Sequence, residues 1–166
     1  MASDTFGFGK YIGKTLEQVA LADYQYLAWA KDNANVMPKK QKERAEEIIY
    51  KLDNFIPAVK CVNCGETADK ISTTSEKNYD ATRDYSVKGS SFYCSKEPCV
   101  GSIPVGVRAN IKPIKFSTIL EYPAFPRYIR KDMQKILLKT AGFNGKVTEK
   151  AAEEFINSIR LEGYLF

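Results

Sequence analysis

Four cysteines are the residues of this chain whose type and spacing most clearly indicate chemistry. They form two pairs, Cys61/Cys64 and Cys94/Cys99, with 29 residues between the pairs. Two residues separate the first pair, so both sulfurs can face one ion, and Gly65 permits the tight turn that follows. Four thiolates make a closed tetrahedral site with no open position for a substrate. The spacing predicts one structural zinc ion; four unrelated buried cysteines and an iron–sulfur cluster are the alternatives.

The composition limits the chemistry that such a site could serve. The chain has 166 residues, no histidine and a net charge of +5. Without imidazole, the commonest general base and the serine or cysteine nucleophiles that depend on it are absent. The first residues have no signal-peptide pattern, and no apolar run approaches 18 residues. We therefore expect a cytoplasmic protein that is not an enzyme and does not associate with a membrane.

A dense segment of glycine, aromatic and basic residues lies near the start of the chain. It reads Phe8-Gly-Lys-Tyr-Ile-Gly-Lys-Thr-Leu-Glu-Gln-Val-Ala20, followed by Tyr26-Leu-Ala-Trp29. Over about residues 6–33 this string resembles the C-terminal segment of exodeoxyribonuclease X-like proteins, and also small stand-alone bacterial and phage proteins. The resemblance implies an accessory module that travels with DNA-processing enzymes. It carries no nuclease active site.

Two interpretations of this segment are open. Lys10 and Lys14 flank Tyr11 on a glycine-rich hairpin, which would give phosphate contacts beside an aromatic ring available for stacking. Alternatively, the aromatic and leucine side chains form the small core of a hairpin-plus-helices unit. That core would contain Phe8, Tyr11, Tyr24, Leu27 and Trp29.

A basic stripe is predicted on a helix near the end of the chain. Arg127, Lys131, Lys135 and Lys139 recur at every fourth position, so they share one helix face. Such a stripe can lie along a phosphate backbone, although a solvated helix face is the simpler explanation. The candidate nucleic-acid-binding residues are Lys10, Tyr11, Lys14, Arg127, Lys131 and Lys135.

The pattern of the chain predicts an α+β protein in three parts. Residues 1–57 form a β-hairpin followed by helices, which begin at Thr15, at Asp23 and around Pro38. Residues 58–122 form a zinc-ribbon-like region with short strands over 100–122. Its polar stretch 66–90 is a long exposed insertion or a polar hairpin around Asn78-Tyr79. Residues 123–166 form a helical hairpin, with helices over 127–141 and 148–162.

These features favour a non-catalytic, zinc-stabilised module that binds DNA or RNA, or a nucleic-acid-processing complex such as one with a nuclease or polymerase. The gap within the second cysteine pair resembles that of zinc fingers in NAD-dependent DNA ligases. A protein–protein interaction adaptor is the alternative. A metal-dependent nuclease using Asp80, Asp84 and Glu97 is the least favoured hypothesis, because these carboxylates lack a recognisable spacing.

Overall fold

The structure is a computed structural model that describes residues 4–33, 35, 37–77, 85–108, 111–121 and 127–161. Contacts divide the chain into two compact units. The helical unit comprises Met1–Ile56 and Phe143–Phe166, and the cysteine unit comprises Pro57–Gly142. The three parts predicted from the sequence follow chain order, whereas the helical unit is built from both ends of the chain. Among the described residues, no helix is long and apolar enough to cross a membrane.

Helices and a small antiparallel sheet make the fold α+β, as predicted. The described helices are α1 (Leu16–Ala22), α2 (Tyr24–Asp32), α3 (Lys39–Asp53), α4 (Glu97–Gly101), α5 (Val105–Arg108), α6 (Thr118–Glu121), α7 (Arg127–Thr140) and α8 (Glu149–Ser158). The described strands are β1 (Lys70–Lys77), β2 (Tyr85–Tyr93) and β3 (Ile111–Pro113), in the spatial order β2-β1-β3.

Side-chain caps fix the starts of the first two helices of the helical unit. At α1, the Thr15 hydroxyl accepts from the Gln18 amide and the Gln18 side chain accepts from the Thr15 amide, each at 3.1 Å. At α2, the Asp23 carboxylate accepts from the amide of Tyr26 at 3.2 Å. Each cap satisfies a backbone donor that has no partner inside the helix. Both predicted helix starts are confirmed.

The core of the helical unit combines apolar burial with one largely buried ion pair. The Glu17 side chain on α1 is 10% exposed, and its Oε1 accepts from Arg44 Nη2 at 2.6 Å and from Arg44 Nε at 2.9 Å. This pair joins α1 to α3, and α8 also packs against both helices. The fully buried side chains of this unit include Leu16, Val19, Tyr24, Leu27, Ile48, Leu52 and Ile156.

The predicted N-terminal hairpin is a loop closed by a single antiparallel bridge between Thr5 and Thr15. One turn of 3₁₀ helix, Gly9–Tyr11, lies inside the loop. Gly9 has φ +68°, and a β-carbon added there would overlap the hydroxyl of Tyr26. Only glycine adopts this backbone region without strain, and only glycine leaves room for the ring.

The cysteine unit contains the predicted polar hairpin. Strands β1 and β2 pair antiparallel from Lys70 opposite Tyr93 to Lys77 opposite Tyr85, and the turn around Asn78-Tyr79 lies outside the described residues. Helix α7 packs against β2, where the Asp132 carboxylate accepts from the backbone amide of Val87 at 3.2 Å. The sheet therefore supports the helix that carries the predicted basic stripe.

The prediction of short strands over residues 100–122 is wrong except at β3. The last two residues of helix α4 and the whole of helices α5 and α6 lie in this stretch. Pro98 stands in the first turn of α4, and the carbonyl of Pro104 accepts from the amides of Val107 and Arg108. Prolines cannot donate to a strand ladder but suit the first turn of a helix. Here the prolines outweigh the strand preference of the valines and isoleucines.

Candidate metal centre and candidate nucleic-acid surfaces

The four cysteine sulfurs converge on one point of the cysteine unit. Their Sγ atoms all lie within 4.8 Å of one another, and those of Cys64 and Cys94 are 3.6 Å apart. Zinc–sulfur bonds of about 2.3 Å in a tetrahedron separate the sulfurs by about 3.8 Å. The cluster therefore fits one four-coordinate ion. The predicted convergence of Cys61, Cys64, Cys94 and Cys99 is confirmed, and the cluster can hold a metal ion.

Backbone geometry forms the first half of the cluster. The amide of Gly65 donates to the carbonyl of Cys61 at 2.9 Å, and Gly65 has φ +75°. The amide of Val62 donates to the carbonyl of Phe92 on β2 at 2.9 Å, which ties this turn to the sheet. The turn predicted from the cysteine spacing and the glycine is therefore present.

The second half of the cluster depends on β2 and α4. Cys94 directly follows β2, and Cys99 lies within α4. Asn63 joins the two halves, because its side-chain amide donates to the Cys99 carbonyl at 3.1 Å and to the Ser102 hydroxyl at 2.7 Å. The sequence analysis missed this role of Asn63. Its position between the first two cysteines, as the one side-chain amide of that turn, is the feature that could have indicated it.

The thiol electrostatics favour a cation at this point. Burial alone would raise the pKa of Cys61, but backbone N–H donors, led by that of Asn63, outweigh it and lower the pKa to about 6. A hydrogen bond with Cys94, together with burial, raises the pKa of Cys99 to about 12. One thiolate thus opposes the ionisation of its neighbours. A bound metal cation removes that opposition and holds all four as thiolates.

In the N-terminal loop, the predicted contact residues Lys10 and Tyr11 already have partners within the protein. Lys10 Nζ lies 2.6 Å from the Asp23 carboxylate and 4.9 Å from the centre of the Tyr11 ring. The Tyr11 hydroxyl donates to the same carboxylate at 3.0 Å, and its ring packs edge-on against Tyr26 with centroids 5.0 Å apart. Lys14 is exposed, and within the described ranges it makes no ion pair.

Trp29 corrects the prediction of a local aromatic core. Tyr24 and Leu27 are fully buried, as that interpretation requires, but Trp29 is 49% exposed. Positions 24, 27 and 28 share the inner face of α2, and residue 29 is turned about 100° further around the helix. Its ring contacts Tyr26, with centroids 5.4 Å apart. The indole of Trp29 therefore packs against the Tyr26 ring on one side and is exposed to solvent on the other.

The basic stripe on α7 is present in the cysteine unit. Lys131, Lys135 and Lys139 are all exposed, while Met133 and Leu137 on the opposite face are fully buried. A helix rises about 1.5 Å per residue, so these lysines follow one another at about 6 Å along the axis. No ion pair is found for the three lysines in the part of the chain that the structure describes. Arg127 begins α7, and its side chain lies outside that part.

The carboxylates of the nuclease hypothesis do not form a described site. Glu97 is an exposed residue in the first turn of α4, and Asp80 and Asp84 lie outside the described residues. Within the described ranges, the four cysteines are the group of three or more possible ligands that lies close enough to hold a metal ion.

Comparison with known proteins bears on the N-terminal segment alone. Residues 6–35 match the family described as "Exodeoxyribonuclease X-like C-terminal". The match confirms the resemblance found over residues 6–33, and it includes Lys10, Tyr11, Lys14 and Trp29. It includes neither the cysteines nor α7. Searches of curated proteins and of solved structures gave no significant match to the chain.

Proposed function

We propose that this protein is a non-catalytic nucleic-acid-binding module in which zinc stabilises the cysteine unit and α7 contacts phosphates. The observation that carries the proposal is the row Lys131, Lys135 and Lys139. These cations are exposed on a helix that is packed on its other face, and none has an ion pair within the described ranges. A cation without an ion pair gains a phosphate contact without first losing a carboxylate.

The structural role of the metal follows from its ligands. Four thiolates complete a tetrahedral coordination shell, so no position remains for a substrate or an activated water. The 3.6 Å separation of two of the sulfurs leaves room for one ion and not for a multi-iron cluster. Zinc is the ion that such sites usually hold in a ribbon. The chain also lacks histidine, the commonest general base.

The nucleic-acid context has support that is independent of charge. The matched segment belongs to a family described by reference to an exodeoxyribonuclease. A module of this kind would bring a nuclease, a polymerase or another processing protein to DNA or RNA. Alternatively, such a processing protein would bring the module to the nucleic acid. The stripe is the part of the molecule that we assign to the nucleic acid itself.

A titration against single-stranded DNA, double-stranded DNA and RNA at two salt concentrations tests the proposal. Each phosphate contact with a single strand contributes about 0.7 to the slope of log affinity against log salt. Replacing Lys131, Lys135 and Lys139 with Gln together should lower that slope by about 2 and weaken binding. Zinc content and unfolding midpoint should stay unchanged, because all three side chains are exposed.

A matched variant controls for net charge. Lys39→Gln, Lys40→Gln and Lys150→Gln also remove three exposed lysines, but each of these lies within 4.0 Å of a carboxylate in the helical unit. This variant should keep most of the affinity and most of the salt slope. Equal losses in the two triple variants would contradict an interface on α7. Absence of salt-dependent binding by the wild type to any nucleic acid would leave the adaptor hypothesis as the better one.

The adaptor hypothesis has one observation in its favour, which is Trp29. A half-exposed tryptophan on a packed helix is typical of the anchor residues at protein interfaces. If this hypothesis holds, Trp29→Ala should abolish capture of a protein partner and leave the unfolding midpoint unchanged, because the side chain is half exposed. Loss of nucleic-acid affinity in the same variant would instead assign the indole to base stacking.

A further inference from the structure

A cavity of about 360 Å³ lies in the cysteine unit beside the cysteine cluster. Its walls come from the inner ends of the hairpin strands, from β3 and from the α4–α5 segment. The lining residues that matter here are Tyr93, Val100, Ile103, Ile111, Lys70 and Arg108. This volume lies at the lower end of the range for small-ligand sites, so it suits one ring system and not a larger ligand.

The described charges in the lining of this cavity all have one sign. Lys70 and Arg108 are the charged residues among the described lining residues, which include no carboxylate. The Arg108 guanidinium is fixed in place, because its Nε donates to the carbonyl of Ile103 at 2.9 Å and its Nη2 to that of Gly101 at 2.6 Å. Lys70 lies 4.0 Å from Asp69, at the outer limit of an ion pair. The cavity is thus apolar inside and cationic at two positions.

An apolar interior with two cationic side chains in its lining favours a ligand that joins a flat apolar ring to an anionic group. We propose that the cavity binds one unstacked nucleotide of a nucleic-acid strand, with its base among Val100, Ile103 and Ile111 and its phosphate near Lys70 and Arg108. The proposal rests on the proposed function, to which it adds a preference for single strands, because a base inside a duplex is paired and stacked and must leave the stack before it can enter the cavity. Tyr93 supplies an aromatic ring for contact with the base.

The cysteine cluster and the cavity have residues in common. Cys94 lines the cavity as well as belonging to the cluster, and Val100 follows Cys99 on α4. If the metal is removed, α4 loses its link to the end of β2, and one wall of the cavity moves away. Nucleotide binding should therefore need the metal, even though the metal makes no contact with the nucleotide.

Equilibrium binding of a mononucleotide such as dAMP to the full zinc-loaded chain tests this inference directly. Val100→Trp should fill the cavity and abolish dAMP binding. Arg108→Gln keeps the apolar wall and should weaken dAMP binding about tenfold, as expected for losing one charge-assisted contact. Lys112→Gln is the matched control, because Lys112 lies on the same sheet, pairs with Glu121 and does not line the cavity. It should bind dAMP like the wild type.

Chelation of the metal should abolish dAMP binding, and dAMP binding that survives chelation would overturn its dependence on the metal. Two further measurements separate this inference from the proposed function. The first result that would overturn the cavity site is oligonucleotide binding that needs the α7 lysines but is unchanged by Val100→Trp. If dAMP also fails to bind at millimolar concentration, the cavity site is excluded and the proposed function still stands. Indole-3-acetate binding as tightly as dAMP would overturn the nucleotide assignment, since the cavity would then accept any apolar anion. Failure of all nucleic-acid binding would overturn both proposals.

Discussion

The N-terminal loop of the helical unit and helix α7 of the cysteine unit both present lysines, yet they use them differently. Lys10 on the loop is held by Asp23 and lies over two aromatic rings. On α7, Lys131, Lys135 and Lys139 are exposed and, as far as the structure describes the chain, without ion pairs. The loop lies in the segment that matches the exodeoxyribonuclease X-like C-terminal family, and α7 lies outside that segment. Within the described ranges the loop therefore offers one exposed lysine without an ion pair, Lys14, whereas α7 offers a row of three, and pairing decides which lysines can serve a ligand.

Metal removal is expected to have the largest effect, because it should unfold the cysteine unit and spare the helical unit. Zinc binding contributes about 10 kcal/mol or more in small cysteine sites, so the chelated cysteine unit should lose its sheet. Hydrogen exchange should show loss of protection over β1 and β2, with α1 to α3 still protected. Cys99→Ser should have the same effect. Elemental analysis without zinc, or protection of β1 that survives chelation, would contradict a structural metal.

The converse change is Arg44→Ala, which should weaken only the helical unit. It leaves the Glu17 carboxylate, 10% exposed, without its partner, at a cost of about 3 kcal/mol. Chemical denaturation measures this loss. Lys39→Ala is the control, since its pair with Glu43 is 3.8 Å long and highly exposed, and should cost under about 0.5 kcal/mol. Adding Glu17→Gln to Arg44→Ala should restore part of the stability, and no restoration would argue against a buried-charge effect.

Gly9→Ala tests whether the N-terminal loop contributes to stability through its close contact with Tyr26. Alanine at φ +68° is strained, and its β-carbon would displace the Tyr26 hydroxyl, so we expect a loss of about 2 kcal/mol. Gly7→Ala should be close to neutral, because open space surrounds that position and its φ is not positive. Thermal unfolding of both variants checks this. Equal stability of the two would mean that the loop does not depend on Tyr26.

The smallest expected effect is the loss of stability when the Glu47 carboxylate of the helical unit is protonated or replaced. The Arg44 guanidinium, hydrogen-bonded to Glu47 at 2.7 Å, holds the pKa of this carboxyl below its ordinary value. A depressed pKa means that the stabilisation is complete above the unfolded pKa, about 4.3, and is lost as the pH falls through the folded value. Glu47 is half exposed, so Glu47→Gln should remove under about 0.5 kcal/mol at pH 7 and nothing near pH 2.

Local rules predicted the parts of the fold that depend on a few neighbouring residues. The Thr15 capping box, the Asp23 cap and the turn at Gly65 each need only residues close in sequence, and all are present. The cysteine cluster was also predictable, because four sulfurs with this spacing have one common arrangement. The predicted helices at 127–141 and 148–162 correspond to α7 and α8 with somewhat earlier ends.

Tertiary context decided the features that the sequence did not predict. The apolar residues of 100–122 have the composition of strands, but the short elements around the cysteines are set by Pro98 and Pro104. Trp29 fits the aromatic pattern of a core, yet α2 needs only one face to bury Tyr24 and Leu27. The link from Asn63 to Cys99 spans 36 residues and could not be inferred from spacing. The cavity likewise depends on residues from five separate elements.

The helical unit is discontinuous, since residues 57–142 stand between α3 and α8. A ribosome therefore releases the last piece of the helical unit only after the whole cysteine unit has been made. Docking α8 on α1 and α3 closes a loop of about 86 residues, and the entropy lost on closure grows with the flexible length of that loop. The folded cysteine unit holds the two ends of this loop close together, because the amide of Ala58 donates to the carbonyl of Thr140 at 2.9 Å. If the cysteine cluster binds its metal, metal uptake in one unit would thus lower the entropic cost of completing the other, without any ligand being shared.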